Sequence, residues 1–399
     1  MNPHGQLVAD ICAWTSKYMR LKSARFRWFG SCLRFQIQSE SVCNGCPGLA
    51  PEVPIMLLAG FLFRSIEDAA SEDARMTLNY AGIDEAGYGP MLGPLCVGRA
   101  ALSVEGWEPV GEDGQVQRVP DLWAMLSSVT ARTRKEAKGR IVVADSKKLK
   151  LPSSSVRHHP LVHLERGVLA MLGTIGEIPK TDLELFELLG AGVEDRAWFG
   201  GEAIELPVGS DLDLLRIDSN GLRAAMEKQG VGLVDLKVHT MGVGEFNSVV
   251  REHRTKAATT AQLLFEHLRE IKGISGMDHT RIVIDRQSGR THYMNLLSRV
   301  WDDLEILEES DRASRYAIGE ELGVLLVSKA DDGYFPVSLA SMAAKYVREL
   351  MMGRFNRYWG GRLPGLKPTA GYVQDARRWL VDAEGVLGDG DREGLVRIA

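Results

Sequence analysis

The run YAGIDEAGYGPMLGP (Tyr80–Pro94) closes an apolar stretch with two adjacent carboxylates, Asp84 and Glu85, and follows them with glycines at 87, 89 and 93. Adjacent strand residues point to opposite faces, so both acids serve one site only at a strand tip. Asp285 ends a second apolar run, RIVID, and Asp331 and Asp332 follow a third, GVLLVSKADD. Acids at three strand ends form the edge at which open α/β sheets build their sites. Clustered carboxylates repel unless a cation neutralises them, and Mg²⁺ or Mn²⁺ are the hard ions that prefer such oxygen ligands. The glycines bare the backbone for close approach of a phosphate or sugar. Taken singly, each Asp also fits a turn or a helix N-cap.

Positioning these residues calls for strands, and β-branched apolar runs supply them at Leu78–Asp84, Gly93–Leu102, Arg140–Ala144, Arg281–Asp285 and Gly323–Ser328. Helical spacing marks Glu245–Ile271 and Val337–Trp359. The alternation predicts an α/β fold. Residues near 174–235 are acidic and rich in glycine and leucine, and read as an insertion decorating the sheet. Residues 1–75 hold four of the five cysteines and show no sustained period. They read as an N-terminal extension, either a poorly ordered arm or the product of a start placed upstream of Met76. Residues 76–352 then form the catalytic domain and 353–399 a helical C-terminal region.

A chain of 399 residues with 45% hydrophobic and 25% charged residues has the composition of a soluble globular protein. Its longest apolar run, Ile55–Phe63, is too short to span a membrane, and a cytoplasmic location is expected. CNGC (Cys43–Cys46) lacks the second ligand pair of a zinc site, and His158, His159 and His163 are interrupted by Pro160. The net charge of −5 weighs against a nucleic-acid partner. Thr130–Arg140 and Gly353–Lys367 nevertheless concentrate basic residues, the second interleaved with Phe355, Tyr358 and Trp359. Such a run suits either a duplex backbone or a solvated helix face over core aromatics, and contact with a duplex is the expectation. Arg286 suits either substrate contact or a surface ion pair.

The order GIDEAGYGP, DSKKL (Asp145–Leu149), EFN (Glu245–Asn247), IVID, KADD, SLASMAAKYVRE (Ser338–Glu349) and GY (Gly371–Tyr372) resembles the type 2 ribonuclease H family, ribonuclease HII, from about Met76 to Tyr372. The resemblance implies a ribonuclease H-like mixed sheet flanked by helices, with a helical C-terminal region. It also implies a two-ion site held by Asp84, Glu85, Asp285 and Asp331, with Mg²⁺ or Mn²⁺ as cofactor. The implied activity is cleavage of the RNA strand of an RNA–DNA hybrid duplex, leaving 5′-phosphate and 3′-hydroxyl ends. Gly87, Tyr88 and Gly89 match the loop that reads the 2′-hydroxyl with a tyrosine, here Tyr372, while Ser146, Lys147 and Asn247 match positions near the substrate.

Departures qualify the match. Tyr88 replaces the arginine between the loop glycines, Val373 replaces a proline, and Glu349 stands where an aspartate is frequent. The Tyr88 replacement removes a cation beside the scissile nucleotide, so hybrid cutting is expected to survive better than cutting at a single embedded ribonucleotide. A hybrid-binding protein with weak or lost cleavage is the alternative, and a nucleotide phosphohydrolase a weaker third. The sequence marks no membrane span or protein partner and leaves the oligomeric state open.

Overall fold

The computed structural model describes residues 27–29, 32–34, 77–107, 119–152, 154–275, 279–287, 290–319, 321–388 and 390–398. The chain divides into two units, Met1–Ser71 and Glu72–Ala399. Of the first, the strands β1 (Arg27–Phe29) and β2 (Cys32–Arg34) are described, paired antiparallel. Cys12, Cys43 and Cys46, and the expectation of a poorly ordered arm, lie outside the described residues.

The second unit is built on a seven-stranded mixed sheet flanked by helices, in the order β7–β4–β3–β8–β11–β10–β9. Its strands are β3 (Thr77–Ala86), β4 (Leu95–Glu105), β7 (Val231–Met241), β8 (Thr280–Asp285), β9 (Glu305–Glu309), β10 (Ala313–Ile318) and β11 (Leu322–Val327). β3, β8 and β11 run parallel to one another and the remaining pairs are antiparallel. A separate two-stranded pair joins β5 (Thr130–Ala131) and β6 (Ile141–Val142). The three parallel strands are apolar on both sides, as strands covered on two faces must be.

Alternation along β3 sorts the core into two layers. Leu78 and Tyr80 pack in one cluster with the helix Phe335–Arg362; Ala81 and Ile83 pack in the other with the helix Ala257–Ser275. Even-numbered β3 residues therefore face the long helix and odd-numbered ones face the shorter helix, and only at the strand's end do Asp84 and Glu85 come to line one corner together with Asp285. The long helix lies close because the strands beneath it carry glycine. A Cβ on Gly98 would meet the Ala340 carbonyl oxygen at 2.2 Å, and one on Gly82 the Val337 nitrogen at the same distance. Gly98→Ala is expected to cost about 2 kcal/mol through overpacking, read as a lowered denaturant midpoint with an unchanged slope.

Several expectations change in the structure. The acidic segment 174–235 is more than decoration: it contributes the helices Asp182–Leu189 and Leu212–Lys228 and the start of edge strand β7. Two buried polar knots tie it down. Arg354 forks onto the Asp182 carboxylate, with Nη2–Oδ1 at 2.8 Å. Glu165 accepts the Val208, Gly209 and Ser210 amides and the Tyr346 hydroxyl. The long helix runs unbroken across residues 352 and 353, where the C-terminal region was expected to begin. Phe355 and Trp359 are buried beside Trp198 and Trp379. The aromatics of Gly353–Lys367 thus belong largely to the core and not to a duplex surface.

Glu245–Ile271 is two helices, Val243–His253 and Ala257–Ser275, separated where Arg254 takes a left-handed conformation at φ 56°. The strand expected at Arg140–Ala144 shrinks to Ile141–Val142. Arg286 is buried and donates to the Arg290, Asp311 and Ser310 carbonyls and the Ser314 hydroxyl, so it is neither a surface ion pair nor exposed to a substrate. Among the described residues, no helix is long and apolar enough to cross a membrane.

Candidate metal centre

Parallel register brings the acids together. Ile83 on β3 pairs with Ile284 on β8, so Asp84 and Asp285 follow side by side, and Val327 on β11 pairs with Asp285. The chain then turns sharply. Lys329 adopts a left-handed conformation at φ 60°, the Ala330 amide donates to Asp285 Oδ1 at 2.8 Å, and Asp331 follows on a single short helical turn.

These carboxyls occupy a poorly solvated corner. Burial, then the charges of Glu85 and Asp285, holds Asp84 well above the ordinary carboxylate range. The Ser341 hydroxyl acts in the opposite direction, and it lies 3.0 Å from the buried Ser146 hydroxyl. Burial and the Asp285 charge push Glu85 up to about 7, against Lys147. Burial, Asp145 and Asp285 push Asp331 up to about 7. Asp285 is also raised, chiefly by burial, with the Ala330 amide pulling it down. Burial works against the Lys147 ammonium, yet the charges of Asp145, Asp84, Asp331 and Asp285 together raise its pKa.

The donor type suits a hard divalent ion, but among the described residues no three of Asp84, Glu85, Asp285 and Asp331 bring their oxygens within 4.8 Å of one another. The set offers carboxylate oxygens on the ends of three adjacent strands, each destabilised when charged and each relieved by a cation. Asp145 adds to the set, with carboxylate oxygens of Asp145, Asp331 and Asp332 within 4.8 Å of one another. Asp145 caps the helix Ser146–Leu149 by accepting the Lys147 amide at 2.8 Å, and Asp332 is paired with Lys148. In the sequence Asp145 entered only as the first letter of a motif. Its position after the apolar run IVVA was the available sign that another chain segment ends at the same edge.

The glycine loop stands beside the acids. Gly87 has φ 89°, a left-handed conformation, and a Cβ there would strike Arg348 Nε at 2.5 Å. Gly89 is exposed, with open space around its Cα. Tyr88 is half-buried, with the Lys256 ammonium 5.0 Å from its ring centroid and Glu85 near enough to raise its hydroxyl pKa after burial. The Gly371 carbonyl accepts the Met91 and Leu92 amides at 2.8 and 3.1 Å, which docks the half-exposed Tyr372 against this loop.

Asn247 is placed differently from its expected role. It is 2% exposed, and both ends of its amide are engaged by the C-terminal tail: Nδ2 donates to the Val396 carbonyl and Oδ1 accepts the Ile398 amide, each at 2.9 Å. The clamp matters because Arg397 between them donates to the Gly87 carbonyl at 2.5 Å and to that of Gly93. Asn247 therefore acts on the loop from beneath, through the tail. Ser146 is likewise behind the acids, not in front of them. Nothing in local sequence spacing signals a contact between residues 87 and 397.

No family model matches this chain, and no curated protein matches it. Among solved structures, the chain is similar to ribonuclease HII of Archaeoglobus fulgidus, solved in a complex with PCNA, at 17% identity and TM-score 0.38, over 80% of this chain and 94% of that one. It is similar to ribonuclease H2 of Pyrococcus horikoshii OT3 at 17% identity and TM-score 0.38, over 80% and 92%. It is also similar to Bst-RNase HIII, solved with Mn²⁺, at 16% identity and TM-score 0.37, over 98% and 92%. The scores are alike for the two enzyme types and do not separate ribonuclease HII, expected from the motifs, from ribonuclease HIII.

Proposed function

We propose that this protein is a divalent-metal-dependent endonuclease that cuts the RNA strand of RNA–DNA hybrids and leaves 5′-phosphate and 3′-hydroxyl ends. What supports the reading is that Asp84, Asp285 and Asp331 follow the ends of three adjacent strands, with Glu85 next to Asp84, the loop Gly87–Gly89 directly after them and Lys147 close enough to feel their charges. A non-catalytic module gains nothing by burying mutually repelling carboxylates next to a bared backbone. A pair of Mg²⁺ or Mn²⁺ ions held by these acids supplies Lewis acidity for attack by water and for departure of the 3′ oxygen.

The chain's own residues do the remaining work. Ser341, backed by Ser146, orients the Asp84 carboxylate, and Lys147 meets a substrate phosphate as a point charge. Gly87 and Gly89 let the backbone approach the ribose, whose 2′-hydroxyl distinguishes RNA from DNA. Tyr372 flanks the same position. Tyr88 stands where a cation would lie between the loop glycines, and Lys256 meets its ring 5.0 Å from the centroid. A hybrid with a run of ribonucleotides is therefore expected to be cut, and a duplex with one embedded ribonucleotide to be cut poorly.

The test uses the full chain with both duplexes, labelled, in Mg²⁺, Mn²⁺ or EDTA, with the product ends mapped. Metal-dependent cutting of the first and little of the second is the expected result. Equal cutting of both would remove the role given to Tyr88. Binding of both without cutting would favour a hybrid-binding protein.

A further inference from the structure

On the helix Ala257–Ser275 and the edge strand β7, His239, His267 and Glu270 each present a ligand atom, all within 4.8 Å of one another. We propose that these three residues form a second metal site, selective for a borderline transition ion such as Zn²⁺ or Co²⁺ and separate from the carboxylate centre.

The fixed point is His267. It is fully buried, and its Nε2 lies 2.9 Å from the Val97 carbonyl oxygen. A carbonyl can only accept, so Nε2 carries the proton and Nδ1 holds a bare lone pair. That Nδ1 is buried and has no hydrogen-bond partner. An imidazole whose second nitrogen is tethered to a backbone carbonyl, leaving the first free, is in the arrangement that orients a histidine toward a metal. Burial, followed by the neighbouring His239 and Arg99, holds the pKa of His267 well below its ordinary value, so the ring is neutral and available as a ligand.

The surroundings favour a cation. Asp235 and Glu270 face one guanidinium, Arg99, which forks onto Asp235 and reaches Glu270 Oε2 at 2.6 Å and the His267 carbonyl at 3.1 Å. His239 Nε2 lies 3.1 Å from Glu270 Oε1, and its Nδ1 lies 3.4 Å from Glu266 Oε2. Contacts of His239 with both glutamates still leave the lone pair of His267 unmet. The two rings are stacked, with centroids 4.0 Å apart and planes at 11°. Sharing an ion requires one ring to leave the stack. His239, 17% exposed on the sheet's edge strand, is the less buried of the two rings, while His267 is held by Val97. Two imidazoles and a carboxylate suit Zn²⁺ or Co²⁺ better than the all-oxygen preference of Mg²⁺.

The row across the sheet runs Glu85, Val97, His239, so His239 stands two strand spacings, roughly 10 Å, from Glu85. The two centres can therefore be loaded and tested apart. The full chain, stripped with EDTA, is titrated with Co²⁺ and followed by visible absorption. The expected result is an intense band from a low-coordinate, nitrogen-ligated ion, saturating at one ion per chain, bleached by Zn²⁺ and retained in Asp84→Asn. The band should be lost in His267→Gln and in His239→Gln. The second variant alters only a partly exposed edge position, so its fold can be verified by circular dichroism if the first fails to fold. A wild-type spectrum with only the weak absorption of all-oxygen coordination, or a band that persists in folded His239→Gln, would overturn the proposal.

Discussion

Asp84→Asn should reduce metal-dependent cutting of an RNA–DNA hybrid by roughly 10²- to 10³-fold, the scale on which a group that stabilises developing charge contributes, while the protein stays folded. The two halves of this expectation come from the same environment. Asp84 is 6% exposed, and burial and its acidic neighbours make its charged form costly. An amide of the same shape retains the Ser341 contact but gives up the negative charge to which the proposal assigns ion binding. Thermal melts in EDTA at pH 8 should show Asp84→Asn as stable as the wild type or more stable. Loss of both activity and fold would make Asp84 a structural residue; retained activity would remove it from the site.

The second large effect is a reversal of pH dependence by metal. Without an ion, Glu85 and Asp331 titrate near 7, raised from ordinary carboxylate values of about 4.5 and 3.8. A carboxyl with a raised folded-state pKa binds its proton more tightly in the native state than in the unfolded chain. Its stabilising contribution is complete below the unfolded value and is lost as pH rises through the folded one. The EDTA-treated protein should therefore lose stability between about pH 4 and pH 8. The loss should be on the order of 4 kcal/mol for the pair, allowing for partial solvent screening. Saturating Mn²⁺ should restore most of it at pH 8 and little at pH 5, where protons compete for the same oxygens. Denaturant unfolding at the two pH values, with and without Mn²⁺, measures this directly. A metal-free protein more stable at pH 8 than at pH 5 would contradict the electrostatic account of the site.

The parts of this fold that could be read from sequence are those whose burial is symmetric. β3, β8 and β11 are covered on both faces, so TLNYAGIDEA, TRIVID and LGVLLV stand out as apolar runs, and the acids ending them could be placed at one edge. β7 and β9 escaped because one flank of each is unpaired. VGLVDLKVHTM carries polar residues at partly exposed positions, and EILEE is mostly exposed; edge strands with charged side chains resist further pairing but lose the apolar signature. The helix break at Arg254 has no glycine or proline to announce it. The motif positions Asn247 and Ser146 were found in the sequence, but their roles depend on contacts across 151 and 195 residues, which spacing cannot express. The histidine trio visible in sequence, His158, His159 and His163, is not the one the fold gathers. His239 and His267 are brought together only when the helix Ala257–Ser275 settles on β4 and β7.

The central claim, that the carboxylate edge drives hybrid cutting through bound divalent ions, is tested most directly by interrupting a reaction. The full chain is started on a labelled RNA–DNA hybrid in Mn²⁺, EDTA is added partway, and excess Mn²⁺ follows. The account predicts that RNA cleavage proceeds, stops on chelation and resumes at its earlier rate, with the DNA strand intact throughout. Cleavage that continues after EDTA, or a hybrid left uncut at every stage, would contradict it.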